Sequence, residues 1–207
     1  MASKTPIKAA KRPKVKAKAK PAKRGPVDVV KAEPALFDPL TPGEIADALR
    51  TLTEDRRVAP MTKVGRYRVV STEPLVVKPP HLLAGHRLAR IVAYDYAADR
   101  AVDACIDLDA GVVVHLGVDK SQPMLSQVEE AIAISIAMVD ERVRSKLQLG
   151  DAPQSTLHYW GRTSSDLSYA RRSAAVVFGR DNGHASVVAV VDLLDQTVTQ
   201  VVPAELW

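Results

Sequence analysis

The apolar positions of this chain follow two periods, one typical of helices and one typical of strands. A helical period begins directly after Thr41, a residue suited to cap a helix while Glu44 returns a hydrogen bond to the Thr41 backbone. Pro42 fits the first helical position because it has no N–H to satisfy. The apolar face that follows consists of Ile45, Ala48, Leu49 and Leu52. The pattern predicts an amphipathic helix that begins near Pro42.

A second, longer helical period extends from about Ser126 to Leu147, and Gly150 is its predicted stop. Apolar stripes at this spacing are nearly always buried, so we expect the stripe to face the core. Its members are Val128, Ile132, Ile136, Val139, Val143 and Leu147.

Strand-like segments follow each predicted helix, and short turn sequences separate them. The first set is Arg90 to Tyr94, Ala101 to Leu108 and Gly111 to Leu116, with a turn at Asp109-Ala110-Gly111. The second set is Ala174 to Phe178, Ser186 to Leu194 and Thr197 to Val202, with a hairpin turn at Asp181-Asn182-Gly183.

An internal repeat relates the two sets of helix and strands. A shift of 85 positions aligns two separate stretches at once, which indicates duplication. In the helical stretch, the matched pairs include Glu44 with Glu129, Asp55 with Asp140 and Arg57 with Arg142. In the strand stretch, they include Arg87 with Arg172, Asp107 with Asp192 and Val113 with Val198.

We therefore predict an α+β protein with two tandem small domains. Each domain is a helix packed on an antiparallel sheet of about four strands, a cystatin-like arrangement. The predicted boundaries are residues 36–120 and 121–204, and they follow a disordered tail rich in Lys, Ala and Pro at residues 1–33.

The charge of the chain is concentrated in this tail. Residues 1–31 have a net charge of +10, whereas the rest of the chain has −5. Such a tail is suited to weak association with polyanions such as DNA, and the alternative is a merely solubilising extension. The candidate polyanion-binding residues are Lys8, Lys11, Arg12, Lys14, Lys16, Lys18, Lys20, Lys23 and Arg24.

Composition indicates the cellular compartment of the protein. Cys105 is the single cysteine, so no intrachain disulfide forms, which fits a reducing compartment. No apolar run is long enough to span a membrane, and the charged N-terminus lacks the apolar core of a signal peptide. We expect a cytoplasmic protein.

Several short segments stand out in order along the chain: Asp38 to Ile45, Arg90 to Asp95, Cys105 to Leu108, Gln122 to Met124, Val139 to Val143 and Val187 to Leu193. In this order they resemble the two amino-terminal domains of the copper amine oxidase family. The match extends from about Leu36 to Pro203. The resemblance implies two α+β domains that lie outside the catalytic β-sandwich of those enzymes, without the catalytic domain itself.

The copper and topaquinone of that family depend on motifs that this chain does not have. Asn182 is its only asparagine and precedes Gly183, so the cofactor-forming tyrosine motif is missing. The family also uses two histidines one residue apart, and no pair among His81, His86, His115, His158 and His184 has that spacing. We expect no catalytic, cofactor-binding or metal-binding residue here, and no enzyme activity from the chain alone.

Other chemically notable residues have a structural interpretation. Cys105 aligns with Val190 in the repeat, which predicts a small core residue. Asp107 and Asp192 each precede a turn and are expected to bond its backbone. Tyr159, Trp160 and Tyr169 are either an aromatic contact surface or, as we favour, part of the core.

Three functions remain open on the sequence alone. The preferred hypothesis is a non-catalytic interaction or scaffold module that binds a protein partner or itself. The second is the non-catalytic piece of a split primary-amine oxidase, whose catalytic chain is separate. The third is polyanion association through the tail.

Overall fold

A computed structural model of the protein describes residues 35–181 and 183–207, which belong to one compact unit. It has two four-stranded antiparallel sheets and accompanying helices, so the predicted α+β class and tandem arrangement are confirmed. We call the two halves the first and second repeat. The tail predicted to be disordered lies outside the described residues, and the domain boundaries stay predictions.

The elements of the first repeat are α1 (Pro42–Glu54), α2 (Ala59–Val64), β1 (Tyr67–Leu75), β2 (Leu88–Asp95), β3 (Arg100–Asp107) and β4 (Val112–Asp119). Those of the second are α3 (Gln127–Val139), α4 (Glu141–Arg144), β5 (Ala152–Tyr159), β6 (Ser173–Gly179), β7 (Ala185–Asp192) and β8 (Thr197–Pro203), with a closing 3₁₀ turn (Ala204–Leu206). None of the helices in the described ranges is both long and apolar enough to cross a membrane.

Each sheet is a meander, with its strands in chain order, and packs one face against the long helix of its own repeat. We call this the inner face and the opposite one the outer face. The inner core of the first repeat joins Ala48 and Leu52 of α1 to Ile91, Val102 and Ile106 of the sheet. The core of the second repeat is built from Ala133, Ala137, Val143, Val176, Phe178, Ala189 and Val191.

The predicted capping box at α1 is confirmed. The backbone N–H of Thr41 donates to Glu44 Oε2 at 2.7 Å, and Thr41 Oγ1 accepts from the Glu44 N–H at 3.2 Å. Ser126 and Glu129 form the same reciprocal pair at the start of α3. The duplication therefore extends to the local chemistry that starts each helix.

The prediction of one helix from Ser126 to Leu147 is wrong, because α3 ends at Val139. Asp140 has an extended conformation, with ψ of 125°. Its side chain accepts a hydrogen bond from the Arg142 N–H at 2.9 Å and so caps the short α4. Asp55 ends α1 in the same way and accepts from the Arg57 N–H at 2.8 Å.

The predicted stripe of this helix is also only partly buried. Val128 is 51% exposed and Val139 is 73% exposed, whereas Glu129, Ala133 and Ala137 form the buried face. Because α3 is apolar nearly all round, its periodicity does not select one face. The face that packs against the sheet is the one with the small side chains of Ala133 and Ala137 and with Glu129, which forms an ion pair.

The first strand of each sheet was not located from the sequence. Both β1 and β5 are edge strands that contain a proline, Pro74 or Pro153. Each also has a register shift against its neighbour, between Val69 and Ser71 and between Pro153 and Ser155. A bulge reverses the in-and-out alternation, which removes the usual strand pattern.

Candidate interaction surface

The charged residues that recur in both repeats form structural contacts. Arg87 Nε donates to Glu44 Oε1 at 2.7 Å, and its guanidinium also donates to backbone carbonyls before α1, including Asp38 O at 2.9 Å. Arg172 repeats this with Glu129 Oε1 at 2.8 Å and Met124 O at 2.9 Å. We call each set the arginine clamp. It joins the start of the helix to the start of a central strand.

The paired aspartates bond turns, as predicted. Asp107 Oδ1 accepts from the N–H groups of Asp109 and Ala110, both at 3.0 Å. Asp192 Oδ1 accepts from those of Leu194 at 2.7 Å and Asp195 at 3.1 Å. Since both carboxylates are buried and fully engaged in their own repeats, they do not form an acid–base pair.

The two repeats are joined by a buried polar junction. The Tyr96 hydroxyl of the first repeat donates to Glu129 Oε1 of the second, and Arg172 lies 4.9 Å from the centre of the Tyr94 ring. Burial by itself raises the pKa of Glu129, but the hydrogen bonds and charge of Arg172 outweigh it and hold the pKa below its usual value. A cleft of about 140 Å³ borders this junction.

The outer face of the first repeat carries an ion pair at its centre. Arg90 Nε donates to Asp103 Oδ1 at 3.0 Å across it, and His81 and His115 line the same depression of about 410 Å³. Cys105 lies here as well, so it is buried as predicted but away from the helix-facing core. Burial raises the pKa of its thiol, which disfavours the reactive thiolate.

The equivalent outer face of the second repeat lacks this ion pair. The 85-residue shift replaces Arg90 with Ala175 and Asp103 with Val188, both buried. A depression of about 640 Å³ lies over this face. Its most exposed apolar lining residues are Leu157 at 51%, Trp160 at 47%, Leu206 at 73% and Trp207 at 50%. With Tyr159 and Arg162, we call these residues the aromatic face.

The aromatic face corrects the favoured interpretation of the aromatic residues as core. Trp160 is about half exposed, and so is Tyr169 outside the depression. Tyr159 is the most covered of the three, and its ring packs 5.1 Å from that of Trp207. Sequence reasoning missed Leu157, Leu206 and Trp207. The loss of both charged partners at Ala175 and Val188 was the signal available in the repeat.

His81 and His115 share one depression, and the other three histidines do not line it. His86 Nδ1 lies 2.7 Å from Asp107 Oδ2, and His81 Nδ1 accepts from the Leu83 N–H. His158 lies on β5, where burial first and the charge of Arg172 second lower its pKa. Across residues 35–181 and 183–207, no three His, Cys, Asp or Glu side chains come together to hold a metal ion. The donor set in these ranges does not fit a copper centre.

The nine basic residues predicted to bind polyanions, from Lys8 to Arg24, lie outside the described residues. The Asn182 side chain of the β6–β7 turn is also outside the described residues, although both strands of that hairpin are in place.

Comparison with known proteins supports the fold. No protein-family model matches the chain, and no curated protein matches it. A solved structure does: the copper-containing benzylamine oxidase from Hansenula polymorpha, with a TM-score of 0.51 and 11% identity. This chain is similar to part of a copper amine oxidase. The match covers 82% of this chain but 30% of the oxidase chain, and at this identity it shows the fold alone.

Proposed function

We propose that the chain is a non-catalytic protein-interaction module that binds a partner polypeptide through the aromatic face. The observation that carries the proposal is the difference between two equivalent surfaces. The first repeat carries the Arg90–Asp103 ion pair on its outer face, whereas the second has buried Ala175 and Val188 at those positions, with exposed leucine and tryptophan side chains beside them. A grouped apolar surface of this kind is typical of binding sites, since scattered apolar residues are common but clusters are not.

A non-catalytic role is supported by how the polar residues are used. Glu44, Arg87, Glu129 and Arg172 are among the buried or largely buried charged groups that a catalytic site could draw on. Each is engaged in an arginine clamp, where it fixes a helix to its sheet. An acid or base that must move a proton needs access to a substrate, and the clamp encloses Glu129 completely and Glu44 for the most part.

The proposal is tested with Leu157→Asp, which puts a charge on the aromatic face. Leu149→Asp is the matched control, because Leu149 is 98% exposed and is not part of the depression. The partner is captured from cells that make this protein, identified, purified and titrated against each variant. We expect Leu157→Asp to weaken binding at least about tenfold and Leu149→Asp to leave it unchanged.

Equal binding by both variants would contradict the proposed surface. Copper content and primary-amine oxidation are measured on the purified wild-type chain in parallel. Amine turnover by this chain alone would overturn the non-catalytic assignment.

A second candidate is the non-catalytic part of a split amine oxidase. The fold likeness to a segment of the benzylamine oxidase favours it. The partner would then be a separate chain that supplies the copper ligands and the quinone. Co-expression with that chain should give amine oxidation that depends on the aromatic face, and Leu157→Asp should reduce complex formation without changing the metal content of the catalytic chain.

Two further proposals rest on composition. Polyanion association is attributed to the basic residues Lys8 to Arg24, whose charge suits phosphate contacts. A cytoplasmic location is supported by the single cysteine, Cys105, which is a free and buried thiol.

A further inference from the structure

We infer that the aromatic face binds an extended peptide segment of the partner in which an aromatic side chain is flanked by carboxylates. The inference rests on the proposed interaction function and specifies what the partner presents. Three observations carry it: a preformed aromatic wall, an arginine at the rim and an open edge strand.

The aromatic wall is fixed by contacts within the chain itself. Tyr159 donates its hydroxyl to Asp166 Oδ2 at 2.6 Å, and its ring packs against that of Trp207. Trp160 lines the same depression, and its ring centre lies 6.3 Å from that of His158. Both tryptophans of the chain therefore line one site, where an inserted aromatic ring makes edge or offset contacts with them.

The rim of the depression carries one guanidinium group. Arg162 lines the depression, and in the described parts of the chain it has no carboxylate within ion-pair distance. The nearby carboxylate of Asp166 keeps its charge but is directed away from an ion pair with Arg162, because it accepts from the Tyr159 hydroxyl, the Ser168 N–H and the Gln200 side-chain amide. A carboxylate beside the inserted ring would meet an available guanidinium, whereas a lysine there would be repelled.

The position of the site on the sheet favours a peptide over a compact small molecule. Leu157 and Tyr159 belong to β5, the edge strand of its sheet. An edge strand presents unpaired N–H and C=O groups to which an extended chain adds by hydrogen bonds. Side chains of such a segment alternate, so one ring enters the depression while its neighbours face away along the rim.

The test uses the intrinsic fluorescence of the full chain, because every tryptophan signal comes from the site. The probes are acetyl-Glu-Phe-Glu-amide, acetyl-Lys-Phe-Lys-amide, acetyl-Glu-Ala-Glu-amide and free 3-phenylpropionate. We expect a saturable change in tryptophan emission with the acidic aromatic peptide and at least about tenfold weaker binding of the other three.

Arg162→Glu should weaken the acidic aromatic peptide about tenfold and improve the basic one. Arg144→Glu is the matched control, with the same charge change on α4 at the helix side of the sheet, and should change neither. Circular dichroism confirms that both variants are folded.

Each contrary outcome overturns the inference. No saturable change with any peptide removes the site, equal binding of the acidic and basic peptides removes the role of Arg162, and tighter binding of free 3-phenylpropionate identifies a small-molecule site instead. If the peptides fail while Leu157→Asp still abolishes binding of the purified partner, this inference fails and the interaction function stands.

Discussion

Glu129 and Arg172, which lie 43 residues apart, form an ion pair whose side chains are essentially inaccessible to water. The equivalent pair, Glu44 and Arg87, has the same Nε–Oε1 geometry, but its glutamate is 17% exposed. Tyr96 accounts for part of the difference, because it donates to Glu129 from the other repeat. The same clamp is thus partly accessible to water in one repeat and lies at the junction between the repeats in the other.

This difference predicts unequal costs of breaking the two clamps. Glu129→Ala leaves the Arg172 charge buried and unpaired, so we expect it to lower the free energy of unfolding by about 3–5 kcal/mol. Glu44→Ala removes charged hydrogen bonds where water has access, and we expect about 1.5–3 kcal/mol. Urea denaturation at neutral pH compares the two, and a larger loss for Glu44→Ala would contradict the role of burial.

The first clamp also predicts a dependence on acid. Hydrogen bonding to Arg87, opposed by burial and assisted by Thr41, lowers the pKa of Glu44 from 4.5 to about 2. Because the folded state has the lower pKa, this stabilisation is full above pH 4.5 and is lost as the pH falls towards 2. The stability difference between wild type and Glu44→Gln should therefore narrow over that range. Urea midpoints at a series of pH values measure it, and a constant difference would refute the linkage.

Tyr96→Phe isolates the bond between the repeats. The variant removes one hydroxyl from Glu129 without opening a large cavity, so we expect a loss of about 1.5–3 kcal/mol in unfolding free energy. Tyr169→Phe is the matched control, because Tyr169 is half exposed, and it should stay within about 0.5 kcal/mol of wild type. Thermal unfolding followed by calorimetry gives both values. Equal effects of the two variants would show that the junction bond contributes nothing.

Deletion of residues 1–33 tests the basic tail. The full chain should bind duplex DNA at low salt, with an affinity that falls steeply as salt is added, because each phosphate contact releases counterions. The shortened chain, which retains both repeats and a net negative charge, should not bind. Fluorescence anisotropy with labelled DNA of unrelated sequences measures both. Retained binding by the shortened chain would place any polyanion site elsewhere.

Features set by neighbours along the chain were predicted well. The capping box at Thr41 and Glu44, the turn bonds of Asp107 and the β6–β7 hairpin each depend on residues a few positions apart. The end of α3 at Asp140 was missed although Asp55 lies at the matching position. The helical spacing of apolar residues continues through Val143. Hydrophobic periodicity alone therefore does not reveal that a single residue, Asp140, has an extended conformation.

Burial of particular residues was not predicted. Val128 and Val139 fit the apolar stripe but are exposed, and Glu129 is charged but buried. The partner of a charged residue decides whether it tolerates burial, and the partner of Glu129 is far along the chain. The aromatic face was missed for a related reason: Leu157, on β5, and Trp207, after the closing 3₁₀ turn, meet only once the sheet and the last turn are formed.

The amino-acid sequence by itself determined the duplication, the α+β class, the starts of the two long helices and the positions of the central strands, because these follow from local capping, turn and periodicity rules. Only the tertiary structure decided which face of each sheet is covered and which charges are buried together. Two repeats with the same local signals thereby acquire different outer faces, since solvent exposure depends on contacts between residues that are distant in the chain.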